Sequence, residues 1–425
     1  MRETPMLRAV RPAPFAAVLL SSLGHGALRP SLLALALLAG CGTSRPAPSA
    51  PARVSRAPAR TAPAIWGPLA PGNHDVGLRV MAVPAGTDAA DARPLQLTVW
   101  YPARDAASTA RLHYRDYVGL TGSEQHPESS EDADVSRAAV TRYQQLVTGM
   151  GLPAAAVSAW LNADVLAARG AAPAPGRFPL VLVAQGRFHS AHHQAVLAEY
   201  LASHGYIVAT TPFPAHLAPP LENEDVLAIA RGQARELVRA LDALKADTHV
   251  DTSRVALVGH SFGARAAFLF TREHPETSAL VSLDGGIANR QGREWLAGLT
   301  GFRPDDFRVP LLHLYQQGDA AVVPDFDLVR SLRGADRWLV RITGLRHLDF
   351  TSVGAATAVA PALAPGGRAT STARGWAASA NDTLRFLDAQ LRQQTQELDS
   401  LSTPPDASSS TSPVVTVTHW RPGQP

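Results

Sequence analysis

The pentapeptide Gly259-His-Ser-Phe-Gly263 sets a serine two residues from a glycine on either side, after the apolar run Val255-Ala-Leu-Val258 and before Ala264-Arg-Ala-Ala-Phe-Leu-Phe270. This order reads strand, sharp turn, helix, an arrangement that lifts a serine hydroxyl clear of its backbone. Glycines at the flanking positions let such a turn close without a side-chain clash. A serine hydroxyl is a poor nucleophile at neutral pH. It needs a base within hydrogen-bond reach and an acid that holds the base in the right tautomer. His347 is the candidate base, because it follows the apolar run Trp338-Leu-Val-Arg-Ile342 and comes after the serine in the chain. Two aspartates compete for the acid: Asp284, directly after Ala279-Leu-Val-Ser-Leu283, and Asp319, after Val309-Pro-Leu-Leu-His-Leu-Tyr315. Asp349, two residues from His347, is a third and poorer choice.

Other reactive residue types have blander readings. His313 sits inside a strand pattern and reads as a core histidine, and His260, beside the serine, points to the other side of the turn and reads as packing. The spacing of His189, His192 and His193 could set two imidazoles on one helix face. No carboxylate or further histidine stands at a recognisable ligand spacing, so no metal is expected. The segment Arg290-Gln-Gly-Arg293 reads as a solvated loop. No cofactor is implied.

The elements that must position Ser261 and its partners can be read from periodicity. Val76 to Val83 and Leu95 to Pro102 are β-rich and look like an opening antiparallel pair. Phe178-Pro-Leu-Val-Leu-Val-Ala184 and Tyr206-Ile-Val-Ala-Thr-Thr211 are continuous apolar runs of buried strands, with a helix between them over Gln194 to Ser203. An amphipathic helix follows from Val226 to Lys245, and a last helix runs from about Trp376 to Leu391. Strands alternate with helices throughout, which predicts an α/β fold with a mostly parallel sheet covered on both faces. Residues 113 to 175 interrupt this order with an acidic stretch and two helical patterns, Val135 to Val147 and Ala154 to Ala168. They read as a helical insertion, either a lid over a pocket or a surface decoration. In such sheets catalytic groups gather beyond the carboxyl ends of the strands, where Ser261, Asp284, Asp319 and His347 all fall.

Four stretches, Pro179-Leu-Val-Leu-Val-Ala-Gln-Gly-Arg187, Leu201-Ala-Ser-His-Gly-Tyr-Ile-Val-Ala209, Gly259-His-Ser-Phe-Gly-Ala264 and Leu283-Asp284, carry a resemblance. Together they resemble the platelet-activating-factor acetylhydrolase and dienelactone-hydrolase-like branch of the α/β-hydrolases, over about residues 76 to 392 without the insertion. The resemblance implies an α/β-hydrolase fold and a serine esterase with Ser261, His347 and Asp284 as its triad. In the acetylhydrolases the acid follows the strand after the nucleophile turn, which favours Asp284 over Asp319. Their oxyanion donors map onto the backbone N–H groups of Phe262 and Arg187. The chain departs from them at Gln185, where the family usually carries histidine. It also has serine where true dienelactone hydrolases have cysteine, which argues against their reaction. The expected substrate is a small-molecule or lipid-like ester. Two other functions remain open on the residues alone: a non-catalytic envelope binding protein on the same fold, and an acyltransferase using the same triad.

The 425 residues, 46% hydrophobic and 18% charged, suffice for one large core. The net charge of +3 and the absence of a basic stripe argue against nucleic acid. The single cysteine, Cys41, ends the run Leu32-Leu-Ala-Leu-Ala-Leu-Leu-Ala-Gly40, which is too short to span a bilayer and suits the apolar core of a signal peptide. Leu38-Ala-Gly-Cys41 resembles a bacterial lipobox, so residues 1–41 are expected as a lipoprotein signal with Cys41 lipidated and the protein exported to the cell envelope, anchored to its membrane. Residues 42–71, rich in Ala, Pro, Ser, Thr and Arg, read as a disordered tether, 72–395 as the catalytic domain, and 396–425 as a disordered tail. Labelling with a radioactive fatty acid should add lipid to the wild type and none to Cys41→Ala; an unlabelled wild type removes the anchor.

Overall fold

The computed structural model describes residues 61–86, 92–104, 106, 111–214, 225–320, 322–401 and 414–424. The expected signal segment, Cys41 and most of the expected tether lie outside these residues. A compact unit runs from Ala62 to Pro425. Its elements in chain order begin β1 (Asp75–Val83), β2 (Leu95–Ala103), β3 (Arg111–His113), α1 (Tyr114–Gly119), α2 (Ala133–Gly149), α3 (Ala154–Leu161) and β4 (Asp164–Arg169). The alternating part follows: β5 (Phe178–Ala184), α4 (Ala195–Ser203), β6 (Ile207–Thr211), α5 (Val226–Leu244), β7 (Val250–His260), α6 (Gly263–Glu273) and β8 (Ala279–Leu283). It closes with α7 (Arg290–Ala297), β9 (Leu311–Tyr315), α8 (Asp327–Ser331), β10 (Arg337–Ile342), α9 (Ser352–Ala356), α10 (Ala369–Leu391) and β11 (Val414–Trp420).

The strands form one sheet in the order β11-β10-β9-β8-β7-β5-β6-β2-β1-β4-β3. From β10 through β6 all neighbours are parallel. The buried strands feed both faces because successive side chains point opposite ways. Leu180, Leu182 and Leu257 pack with α5 and α6 in one apolar cluster, whereas Val181, Val183 and Val258 pack with α4 and α10 in the other. This is the α/β architecture expected from the alternation of strands and helices.

The structure differs from the sequence reading at several points. The folded unit includes residues ahead of Gly72: a short 3-10 turn, Ala64–Trp66, buries Ile65 and Trp66 completely. The segment 113–175 is not purely helical. β4 pairs parallel with β1 and β3 antiparallel with β4, so the segment extends the sheet edge, and Tyr114, Tyr117 and Trp160 sit in the core. The helix expected over Ala154 to Ala168 stops at Leu161, because Asp164–Arg169 is strand. The tail is not disordered at its end, since the β-branched pattern Val414-Val-Thr-Val-Thr-His-Trp420 adds β11 antiparallel to β10. Stacking of His419 on Trp338, with ring centroids 4.3 Å apart, ties it there. Arg290 and Arg293, expected in a solvated loop, lie on α7.

One buried carboxylate joins the early segment and the insertion to the core. Glu199 on α4 accepts hydrogen bonds from Trp66 Nε1, Tyr117 Oη and the backbone N–H groups of Leu166 and Ala167. Burial pushes its carboxyl up from the usual range, and these donors oppose the shift. Glu199→Ala orphans four buried donors, each costing about 1–3 kcal/mol. The expected loss is at least about 3 kcal/mol in urea unfolding, and a variant as stable as the parent contradicts this role.

Candidate active site

Strand register does the first part of the assembly. His260 at the end of β7 pairs with Leu283 at the end of β8, so the next residues, Ser261 and Asp284, leave neighbouring strands at the same level. Leu283 in turn pairs with Leu314 of β9, which brings Gln316 alongside Asp284. Both Ser261 and Asp284 adopt left-handed backbone, with φ of 52° and 43°. Such a conformation costs an L-residue about 1–2 kcal/mol, so it persists only where the surroundings impose it. Here the two turns hold each other: Ser261 N–H donates to the Leu283 carbonyl, and Gly286 N–H donates to the Ser261 carbonyl. Arg265 Nε, from the first turn of α6, donates to the Gly286 carbonyl. The glycines are required by close approach. A Cβ on Gly263 would lie 2.1 Å from the Ala184 carbonyl oxygen, and one on Gly259 would lie 2.5 Å from the Ala264 Cα.

The side chains then meet in a relay. His347 opens a 3-10 turn, His347–Phe350, beyond β10. Its Nδ1 lies 2.7 Å from Asp284 Oδ2, and its Nε2 lies 2.7 Å from Ser261 Oγ. A carboxylate only accepts, so Nδ1 carries the proton and Nε2 is left to accept from the serine hydroxyl. Asp284 is 3% exposed and His347 15%, so the acid is enclosed while the base keeps an opening to solvent. Between the two competing aspartates, it is Asp284 that reaches the imidazole. Asp319 stands on the loop after β9, where its backbone N–H donates to Gln316 Oε1. Asp349 is engaged elsewhere, accepting from the backbone of Arg346 and from Arg368, and burial raises its carboxyl.

The turn facing the serine is built from inside the fold. Gln185 is fully buried and donates to Thr210 Oγ1 at 3.0 Å, so its side chain is aimed away from Ser261. Gln233 of α5 donates to the Gln185 carbonyl at 2.8 Å and pins the turn that carries Arg187. Phe262 is the N-cap residue of α6, so its N–H has no acceptor within the helix. Phe262, Phe213 and Phe188 form a run of edge-on rings with centroids 5.4 and 5.7 Å apart, ending in Phe188, which is 43% exposed. Phe188 also has left-handed backbone, with φ of 59°.

Four further histidines form a column of rings beside His347. His260 Nε2 donates to the His347 carbonyl at 3.1 Å, and the two rings lie 5.0 Å apart. His189 follows 5.4 Å from His260, His193 3.8 Å from His189, and His192 3.9 Å from His193. Tyr114 and Tyr143 of the insertion meet His192 edge-on. Burial pushes the rings of His189, His192, His193 and His260 down from the usual imidazole range, that of His193 to about 4. His189 and His193 have parallel faces, an arrangement that aims their nitrogens side by side instead of at one point. No group among the described residues has the geometry to hold a metal ion. A Cβ on Gly186 would come within 2.9 Å of Nδ1 of both His189 and His260, so the stack and the turn after β5 are fitted to each other. His313 is buried on β9 as expected, with Nδ1 3.0 Å from Ser282 Oγ.

Sequence reasoning missed Gln233, Gln316 and the bond from His260 to the His347 carbonyl. The available signal was a buried-strand pattern ending in glutamine at both Gln185 and Gln316. The geometry gives a direct comparison of the two acids. Asp284→Asn should lower kcat by about four orders of magnitude, as loss of the tautomer-holding acid does elsewhere. Asp319→Asn should stay within a few-fold of wild type, and the reverse ranking in steady-state kinetics contradicts the assignment.

A family model described as Chlorophyllase matches residues 168–309. No curated protein matches the chain significantly. Among solved structures the chain is similar to a ferulic acid esterase from Streptomyces cinnamoneus, at 22% sequence identity and a TM-score of 0.55, over 82% of this chain and 96% of that one. The mostly parallel sheet, the helices on both faces and this likeness give the chain the α/β-hydrolase fold.

Proposed function

We propose that the protein is a serine esterase that cleaves a carboxylic ester through an acyl-enzyme. Ser261 Oγ attacks the ester carbonyl while His347 Nε2 takes its proton, Asp284 holds His347 and stabilises the imidazolium, and the proton then passes to the leaving alcohol. Water repeats the sequence in reverse roles and releases the acid. The N–H groups of Phe262 and Arg187 serve as the oxyanion donors; loss of one such donor typically costs about a hundred- to a thousand-fold in turnover. The observation that carries the reading is the continuous relay from Ser261 through His347 to Asp284, with both contacts at 2.7 Å. The Chlorophyllase description and the ferulic acid esterase title agree in pointing to ester substrates. Placement of the acid after β8 supports the finer likeness to the acetylhydrolase branch. Export and a lipid anchor at Cys41 belong to the same proposal and rest on the sequence alone.

Wild-type protein should hydrolyse short-chain p-nitrophenyl esters and be labelled by a fluorophosphonate. Ser261→Ala should lose at least about a thousand-fold in kcat and all labelling. Equal turnover by Ser261→Ala sinks the mechanism. A wild type that never takes the label favours a non-catalytic binding protein, and acyl transfer to an added alcohol in preference to water favours a transferase.

A further inference from the structure

Asp284 needs to be held, and one side chain does so. Its backbone is left-handed, its carboxylate is 3% exposed, and one oxygen is committed to His347. Gln316, the first residue past β9, is fully buried against it. Gln316 Nε2 donates to Asp284 Oδ2 at 3.2 Å and to the Val322 carbonyl at 3.4 Å, and the Gln316 backbone N–H lies 3.5 Å from Asp284 Oδ1. The orientation of the amide is not free. Its oxygen accepts from the Asp319 N–H at 2.7 Å, so its nitrogen must face the acid. Every polar atom of this side chain is used, and two of its contacts, to Val322 and Asp319, fix it with respect to the loop that follows β9.

We infer that Gln316 is a positioning residue for the catalytic acid, and that the loop carrying Asp319 acts on catalysis through it. This rests on the esterase reading only for its kinetic consequence. Gln316 touches neither Ser261 nor the base. It donates to the same carboxylate oxygen that accepts from His347 Nδ1, and so limits how strongly Asp284 draws on the imidazole proton. The titratable groups facing Asp284 are His347 from the turn after β10 and His313 from β9, with Arg265 of α6 bonded to the adjoining turn at Gly286.

Gln316→Met keeps the volume and removes both donors. Gln316→Glu keeps the shape and replaces the amide by a second acid, and it carries the same test should the first variant not fold. Both should lower kcat on p-nitrophenyl acetate by about ten- to a hundred-fold with little change in KM, as displacement of a supporting group does. In both, the acidic limb of kcat/KM should move to higher pH by roughly half a unit or more, because Asp284 is left more basic and holds the imidazolium more tightly. The low-field proton resonance of His347 Nδ1–H should move with it, a reading that needs no turnover. A loss of kcat with the limb and the resonance both unmoved assigns Gln316 a merely structural part and overturns the inference. A loss carried by KM overturns it too. If the resonance moves but the wild type hydrolyses no ester, the positioning role stands and the esterase reading fails.

Discussion

The carboxyl ends of the central strands depend on a pair of strained residues that support each other. Ser261 and Asp284 leave adjacent strands in left-handed backbone, at an intrinsic cost of about 1–2 kcal/mol each. A backbone hydrogen bond contributes about 1 kcal/mol net. The bonds between the two turns, with that from Asp284 N–H to the Leu314 carbonyl, are therefore of the size needed to offset the strain. Neither turn is stable by its own local sequence. Each is stable because the other is there, and the parallel register of β7, β8 and β9 brings them together.

This reciprocity explains why the close approaches concentrate at the same end of the molecule. Gly259 allows the first turn of α6 to fold back on β7, Gly263 lets that turn approach β5, Gly286 accommodates Arg265, and Gly186 leaves room for two imidazoles. The rest of the support comes from buried amides. Gln233 Nε2 donates to the turn after β5, and Gln316 holds Asp284 with both ends of its amide engaged inside the protein. In an interior where an unpaired polar group costs more than a satisfied one returns, such amides make one arrangement much better than its neighbours.

Much of this was legible in the residues. Continuous apolar runs placed β5 and β8 correctly to the residue, because strands buried on both faces have no alternation to confuse the reading. The strand-turn-helix around Ser261 was equally plain, since glycine, serine and helix-forming alanines each act locally. Asp284 and Asp319 were open alternatives on the residues alone, because the ends of two consecutive strands give the same signal and only their placement against β7 and the turn after β10 distinguishes them. The strand content of the insertion was hidden for a related reason. Its helices announce themselves, but the pairing of Asp164–Arg169 with β1 is a long-range property, and nothing local separates a decoration from a sheet edge. The last strand was hidden by its Ser- and Pro-rich approach, which drew attention away from the β-branched run beyond it.

The stack of rings behind His347 has a consequence for the conditions the fold tolerates. Free imidazole takes up a proton near pH 6.5. The buried rings refuse it until the pH is far lower, with His193 titrating only at about 4. Between those values the unfolded chain binds protons that the native chain does not, so stability that is fully present above about pH 6.5 drains away as the medium becomes more acidic. Several rings act in the same sense, whereas buried carboxyls such as Glu199 and Asp382, which burial holds above their usual range, act in the opposite one, so the column beside His347 is one acid-labile contribution set against acid-stable ones.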